Sequence, residues 1–173
     1  MKKIFFFLFW FILIAFPSSK ILLANTVSKT VRIAFEIEPV TALKVVSETG
    51  GRMVRLGPLT PKMEAPPRTL EVTVATNVKG RYRVVHEVEG NVMNATGDEF
   101  PPEKVLFRVS PGIKGGVSGI PSLTPIPQGE VVIFTSGTDG GADAFQVTYS
   151  VDNTELFPAG LYYANIRVDI RTE

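Results

Sequence analysis

The chain has 173 residues, of which 18 are basic and 17 acidic, with one histidine and no cysteine. The near balance of charge gives no electrostatic reason to expect a nucleic acid or an anionic membrane surface as a partner. The missing thiols exclude disulfides and thiolate metal sites, and a single histidine cannot build a multi-histidine zinc or iron site within one chain. We predict no cofactor.

Residues 1–24 have the pattern of an export signal. Lys2 and Lys3 precede an apolar run of 13 residues from Ile4 to Phe16, which is shorter than the roughly 20 residues of a membrane span. The sequence "LLA" at 22–24 places a small residue before a cut after Ala24. The alternative is an uncleaved anchor over residues 4–23.

Cleavage after Ala24 leaves 149 residues, enough for one domain with a sizeable core. Three of the 18 basic residues leave with the signal, so 15 remain against 17 acidic residues, a net charge of −2. We expect no membrane contact by the protein after this cleavage.

The stretch "TVRIAFEIEP" at 30–39 alternates apolar and polar side chains, which predicts a strand with one buried face. The apolar positions are Val31, Ile33, Phe35 and Ile37. Pro39 ends the pattern because it cannot donate a ladder hydrogen bond. Such a strand can complete its own sheet or be offered to another molecule, and the residues alone leave both possibilities open.

Short alternating runs fill the rest of the chain, and none has convincing helical periodicity. "RTLEVTVATN" at 68–77 and "RYRVVHEVEG" at 81–90 flank a turn sequence, which predicts a hairpin. The other predicted strands lie at residues 41–46, 52–56, 104–110, 130–136, 143–151 and 159–170. Eight or nine short strands separated by turn signals predict an all-β, antiparallel β-sandwich.

Two further segments complete this prediction. Residues 111–129 are so rich in glycine and proline that we predict a long loop. The last strand is predicted to line the core with alternate residues, namely Tyr162, Ala164, Ile166, Val168 and Ile170.

His86 is the one candidate for acid–base chemistry. It shares a predicted strand face with Tyr82 and Val84, so a half-buried sheet histidine is expected, and no nucleophile motif accompanies it. We therefore predict no catalytic residue and no enzymatic activity. We also consider an exported hydrolase, but it is the least favoured function because no nucleophile motif is present.

Two polar motifs have both a functional and a structural interpretation. Asp139 and Asp143, with Ser136 and Thr138 nearby, could offer oxygen ligands to calcium, but the spacing does not match the EF-hand calcium loop and also suits a hairpin turn. The "NAT" sequence at 94–96 has the spacing of an N-glycosylation acceptor, and we interpret it as a turn.

The two ends of the chain carry a resemblance to a known family. The segment "KTVRIAFEIEP" leading into "VTALKVV", together with the closing "FPAGLYYANIRVDI", resembles the subunits of chaperone-usher fimbriae, particularly the cysteine-free colonisation-factor (alpha) type. The closing segment is also similar to that of the spore coat U family of secreted pilin-like proteins. In such subunits a glycine, here Gly160, precedes the last strand.

This resemblance implies an immunoglobulin-like fold that lacks its final strand. A chaperone strand, and later the N-terminal segment of the next subunit, would fill the gap by strand addition. Residues 1–24 would then be the signal peptide, 25–39 the donor-like strand and 40–173 the sandwich body. Val31, Ile33, Phe35 and Ile37 would be the donor side chains, and the acceptor groove would lie beside Gly160, Tyr162, Ala164, Ile166, Val168 and Ile170.

The implied function is a structural subunit of a bacterial surface fimbria. Its partners would be like subunits, a periplasmic chaperone and an outer-membrane usher, and it would pass through the periplasm to the cell surface. The alternative is a self-complete extracellular or periplasmic sandwich that binds a glycan or a protein, with the 111–129 loop as its binding element.

Overall fold

A computed structural model describes residue 29 and residues 32–51, 53–56, 58, 66–152 and 156–173. The predicted export signal and Val31 lie outside the described residues. Ten strands and one turn of 3-10 helix (Pro102–Lys104) are present in the described part. The strands are β1 (Thr41–Ser47), β2 (Arg68–Thr76), β3 (Tyr82–Met93), β4 (Glu99–Phe100), β5 (Val105–Val109), β6 (Val117–Ser118), β7 (Thr124–Pro125), β8 (Gly129–Thr135), β9 (Asp143–Val151) and β10 (Tyr163–Thr172).

The strands form two antiparallel sheets. One sheet has the order β1-β2-β9-β5-β7, and the other has the order β10-β3-β8-β6 with β4 on one end of β3. An immunoglobulin sandwich arranges its lettered strands as A-B-E-D and C-F-G. The order β1-β2-β9-β5 matches A-B-E-D, while β3 and β10 stand in the places of C and F. The prediction of an antiparallel, immunoglobulin-like β-sandwich is confirmed.

Alternating apolar residues from both sheets fill the space between them. The core contains Phe107, Ile133, Phe134 and Phe145, all almost completely buried. The Phe134 and Phe145 rings, from different sheets, stack with their centroids 4.2 Å apart. With no disulfide in the chain, this packing is what holds the sheets together.

The prediction of a hairpin over residues 68–90 is wrong. β2 pairs with β1 and β9, whereas β3 pairs with β10, β8 and β4, so the 77–81 connection passes from one sheet to the other. The turn sequence correctly indicates that the chain reverses direction. It cannot indicate which sheet the next strand joins, because both sheets bury the same kind of alternating face.

The strand predicted at 52–56 is also absent from the described residues 53–56. Val54 and Leu56 still pack half-buried against the core, so the alternation in this segment reflects burial without strand pairing.

The predicted loop at 111–129 is a structured segment that contains β6 and β7. Backbone hydrogen bonds tie it to both sheets, among them Val109 N–H to Ile120 C=O (2.7 Å), Ile113 N–H to Ala144 C=O (3.0 Å), Gly119 N–H to Ile133 C=O (2.9 Å) and Ile126 N–H to Val105 C=O (2.8 Å). Two of its glycines lie where a side chain would clash with neighbouring atoms. A Cβ on Gly116 would lie 1.9 Å from the Phe134 ring, and a Cβ on Gly119 would lie 2.5 Å from the Val132 carbonyl oxygen.

Candidate functional site

Among the described residues, the edge of the second sheet formed by β10 has no partner strand. β10 pairs with β3 on its inner side, and no strand in the described part of the chain pairs with its outer side. This is the place that the last strand, G, occupies in an immunoglobulin sandwich. The backbone groups on that side are free to pair with an added strand.

The inward-facing residues of β10 are only partly covered. Ala164, Val168 and Ile170 pack against the core, as the alternation predicts. Ile166, whose Cα pairs with Val88, keeps 37% of its surface exposed. The uncovered apolar surface beside the free backbone edge is suited to the side chains of an additional strand.

Two of the predicted acceptor residues lie before the strand, because β10 begins at Tyr163. The Tyr162 hydroxyl donates to the Pro158 carbonyl oxygen (2.9 Å), and its ring centroid lies 5.5 Å from that of Phe100. Gly160 approaches Asn94, where a Cβ would come within 2.7 Å of the side-chain nitrogen. Both residues therefore shape the turn that leads into β10.

Ion pairs hold β10 to its sheet on the outer face. Arg167 pairs with Glu87 on β3, and Arg171 reaches across to Glu130 on β8. Exposed pairs of this kind contribute about 0–1 kcal/mol each. Because these two ion pairs point toward β3 and β8, they do not cover the backbone edge of β10 that faces away from β3.

The prediction of a strand with one buried face over residues 30–39 is wrong for the described part of that segment in the single chain. Residues 32–40 belong to no strand, and their side chains are exposed. Ile33, Phe35 and Ile37 are 85%, 83% and 72% exposed, so the apolar face of the alternating segment meets water in the single chain. Three large apolar side chains exposed this close together are uncommon on a monomeric protein.

Asn77, which sequence reasoning did not single out, holds the chain just before β1. Its backbone N–H donates to the Val40 carbonyl oxygen (3.2 Å), its Oδ1 accepts the Val40 N–H (2.7 Å), and its Nδ2 donates to the Glu38 carbonyl oxygen (2.9 Å). We name this set of three bonds the Asn77 clamp. The available sequence signal was weak, since an asparagine after a strand is also an ordinary turn residue.

His86 is completely buried, which corrects the expectation of a half-buried residue. Its Nε2 is 3.0 Å from the Tyr149 hydroxyl, and its ring stacks on Phe107 at 5.2 Å. Burial lowers the pKa of His86 to about 4 and raises the pKa of Tyr149 well above its usual value of 10. Both groups are therefore neutral at pH 7 and out of reach of a substrate, as in a structural bond between the two sheets.

The Asp143 carboxylate accepts hydrogen bonds from three backbone N–H groups, which belong to Lys114 (2.8 Å), Gly116 (3.0 Å) and Ala144 (2.8 Å). It thereby fixes the start of the 111–129 segment. Both carboxylate oxygens thus already accept backbone N–H groups, whereas a calcium ion needs several oxygen ligands. Among the described residues, no group of three or more His, Cys, Asp or Glu side chains could hold a metal ion.

The "NAT" sequence forms a turn, as predicted. The Asn94 Oδ1 accepts the backbone N–H of Thr96 (3.0 Å) and of Asp98 (2.8 Å), and Asn94 itself is buried. Its Nδ2 donates to Asp98 at 2.8 Å, and this bond lowers the pKa of the Asp98 carboxyl. The side-chain nitrogen is thus used within the protein.

A depression of about 250 Å³ lies on the first sheet, and polar side chains line most of it. Its lining residues are Val46, Ser47, Glu48, Thr69, Glu71 and Gln146. Glu48 already accepts the Thr69 N–H (3.1 Å) and faces Arg68 at 3.9 Å. The lining contains no aromatic ring on which a sugar could stack.

Comparison with known proteins leaves the family open, since no family model matches the chain and no curated protein matches it. Among the described residues, no helix is long and apolar enough to cross a membrane.

Proposed function

We propose that this protein is a structural subunit of a bacterial surface fimbria, assembled by donor-strand complementation and without enzymatic activity. The observation that carries the proposal is the open outer edge of β10, in the place where an immunoglobulin-like sandwich has its last strand. The exposed alternating face of Ile33, Phe35 and Ile37 is the matching element.

In this proposal the N-terminal segment of one subunit pairs with β10 of the next. Val31, Ile33, Phe35 and Ile37 pack into the gap beside Ile166, Val168 and Ile170, while backbone groups complete the sheet. Burying the three described donor side chains contributes about 5–9 kcal/mol at about 1.5–3 kcal/mol each. That is comparable with the net stability of a whole domain, about 5–15 kcal/mol.

The proposal includes export through the periplasm to the cell surface. An acceptor edge that stays open during export exposes apolar surface and free backbone groups, which favour aggregation. A periplasmic chaperone that lends a strand, and an outer-membrane usher that exchanges it for the next subunit, would keep the edge covered on the way.

The alternative, a self-complete sandwich that binds a glycan or a protein, stays a prediction. It requires residues 25–38 to stabilise their own domain. If the purified domain is monomeric, and deletion of residues 25–38 abolishes its cooperative unfolding, the polymer proposal loses its main support.

The direct test is Phe35→Asp in the chain without its export signal. A charge on the apolar face of the donor should abolish polymers, as measured by light scattering after gel filtration, because a buried unpaired carboxylate is strongly disfavoured. The matched control is Glu36→Asp at the neighbouring position on the polar face, which should polymerise like the wild type.

A wild-type peptide of residues 28–39 separates a donor defect from a folding defect. Added to the Phe35→Asp chain, it should raise the temperature of unfolding, because the acceptor edge is intact. Polymers of normal length from Phe35→Asp would contradict the proposal.

A further inference from the structure

We propose that residues 53–56 cover the opening between the edge strands β1 and β10 in the free subunit, and that an incoming donor strand displaces them. The inference rests on the proposed function and adds a regulatory step to it, because the acceptor edge then carries a weak occupant from its own chain. We name residues 53–56 the cover segment.

The turn after β1 directs the chain to the free side of that strand. The Glu48 N–H donates to the Thr69 carbonyl oxygen of β2 (3.3 Å), so the neighbouring Ser47 points its backbone groups away from β2. Ser47 donates its N–H to the Gly51 carbonyl oxygen (2.9 Å) and accepts the Gly50 N–H (2.9 Å). This is the bonding of a hairpin turn with a bulge, and Gly50 has the positive φ, 74°, that such a turn requires. The chain after Gly51 therefore starts on the side of the opening.

The cover segment turns one face toward the core. Val54 and Leu56 are half-buried and pack against the core, whereas Met53 and Arg55 are exposed. The apolar residues on the two flanks of the opening are also only partly buried, namely Leu43 and Val45 on β1 and Ala164, Val168 and Ile170 on β10. Since the turn starts the segment on this side of β1, we assign the contact of Val54 and Leu56 with the core to the opening.

Side-chain packing holds the cover segment in place. In the described part of the chain, β1 pairs only with β2, and no hydrogen bond or ion pair joins residues 53–56 to another residue. A donor strand forms backbone hydrogen bonds along β10 in addition to burying its side chains. The donor therefore gains more than the cover segment loses. Until a donor arrives, the cover segment shields part of the apolar surface that would otherwise favour aggregation.

The first test measures how tightly a peptide of residues 28–39 binds the Phe35→Asp chain without its export signal. Val54→Ser and Leu56→Ser together weaken the packing of the cover segment, so the opening is free in a larger fraction of the chains. The apparent dissociation constant is the intrinsic one divided by that fraction, so the peptide should bind about tenfold more tightly in isothermal titration calorimetry. Met53→Ser is the matched control, and it should leave the affinity unchanged because Met53 is exposed.

A purely structural role of Val54 and Leu56 gives a different result. If the donor leaves them in place, their truncation destabilises the free and the bound chain alike, and the peptide binds with unchanged or lower affinity. That result overturns the inference and leaves the proposed function standing, because the peptide still binds. If the peptide binds none of these chains, and the wild type forms no Phe35-dependent polymer, the proposed function fails and the inference fails with it.

A thiol probe follows the cover segment directly, and it decides if the double variant does not fold. Because the chain has no cysteine, Val54→Cys in the Phe35→Asp chain introduces a single thiol. Displacement of the segment should make this thiol react severalfold faster with iodoacetamide when the peptide binds, since reactivity follows exposure. Met53→Cys is the control, with the same rate in both states. A Val54→Cys rate that stays constant or falls when the peptide binds would overturn the inference.

Discussion

On one side of the sandwich the sheets end in β6 and β7, each two residues long, and on the other they end in β1 and β10, of seven and ten residues. The first side is closed by one segment that bonds to both sheets and buries Ile126 between them. The second side presents two long edges without a partner strand in the described residues. Short edges with proline are the usual protection against unwanted strand pairing, so one side of the sandwich has this protection and the other side does not.

The largest expected effect tests the closed side. Ile126 is 5% exposed although it lies in a proline-rich connection. Ile126→Ala should lower the free energy of unfolding by about 2–5 kcal/mol, because it leaves a cavity between the sheets. Urea denaturation followed by fluorescence measures this loss.

Leu123→Ala in the same segment is the matched control. Leu123 is exposed, so its truncation should change the free energy of unfolding by less than about 0.5 kcal/mol. Equal effects at the two positions would show that this segment does not close the sandwich.

A smaller change in the free energy of unfolding is expected when the pH is lowered, because His86 titrates. His86 lies on β3, which is the strand next to β10. Its pKa is about 4 in the folded chain and about 6.5 when unfolded, so the unfolded state binds more protons between these values. Stability is therefore complete above about pH 6.5 and falls as the pH drops toward 4. The loss is about 2 kcal/mol between pH 7 and pH 5.

His86→Gln should flatten this part of the pH profile, because the amide can still bond to Tyr149 but does not titrate. Urea midpoints measured at pH 5, 6 and 7 check the difference. A wild-type profile that matches His86→Gln would mean that water reaches the histidine, and hence that the open edge extends further into the core than the structure indicates.

The smallest expected effect lies on the open side. Ile166→Ala should cost about 1 kcal/mol in the monomer, because the side chain is already partly exposed. In the polymer the cost should rise to about 2 kcal/mol, since an added strand would bury the rest. Denaturant midpoints of monomer and polymer give the two values, and equal values would argue against an occupant on β10.

The strands and their buried faces could be predicted because each depends on alternation within a few residues. Tyr82, Val84, His86 and Val88 all face inward as the alternation of β3 requires. Sheet membership could not be predicted, because the pairing of β2 with β9 rather than β3 depends on contacts far apart in sequence.

The inward side of β10 could be predicted for the same reason, because it follows from alternation within the strand. The strand predicted at 30–39 is absent from the described residues 32–39, because alternation within a segment does not show whether its apolar face is covered in the single chain. The Asn77 clamp joins residues 37 or more positions apart and involves one ordinary polar residue, so no local pattern announces it. Ile126 was missed because proline and glycine around it indicate a loop, and composition does not distinguish a surface loop from one that is tied to both sheets.

The length of β10 has a mechanical consequence. Its antiparallel pairing with β3 extends from Tyr163 to Thr172, and the hydrogen bonds of such a ladder lie across the strand axis. In the proposed fimbria, tension along the fibre would pull a seated strand parallel to β10, so that all bonds along it resist sliding at the same time. A strand peeled from one end would lose those bonds one by one. A ten-residue edge loaded in shear therefore lets weak individual bonds withstand a large force together.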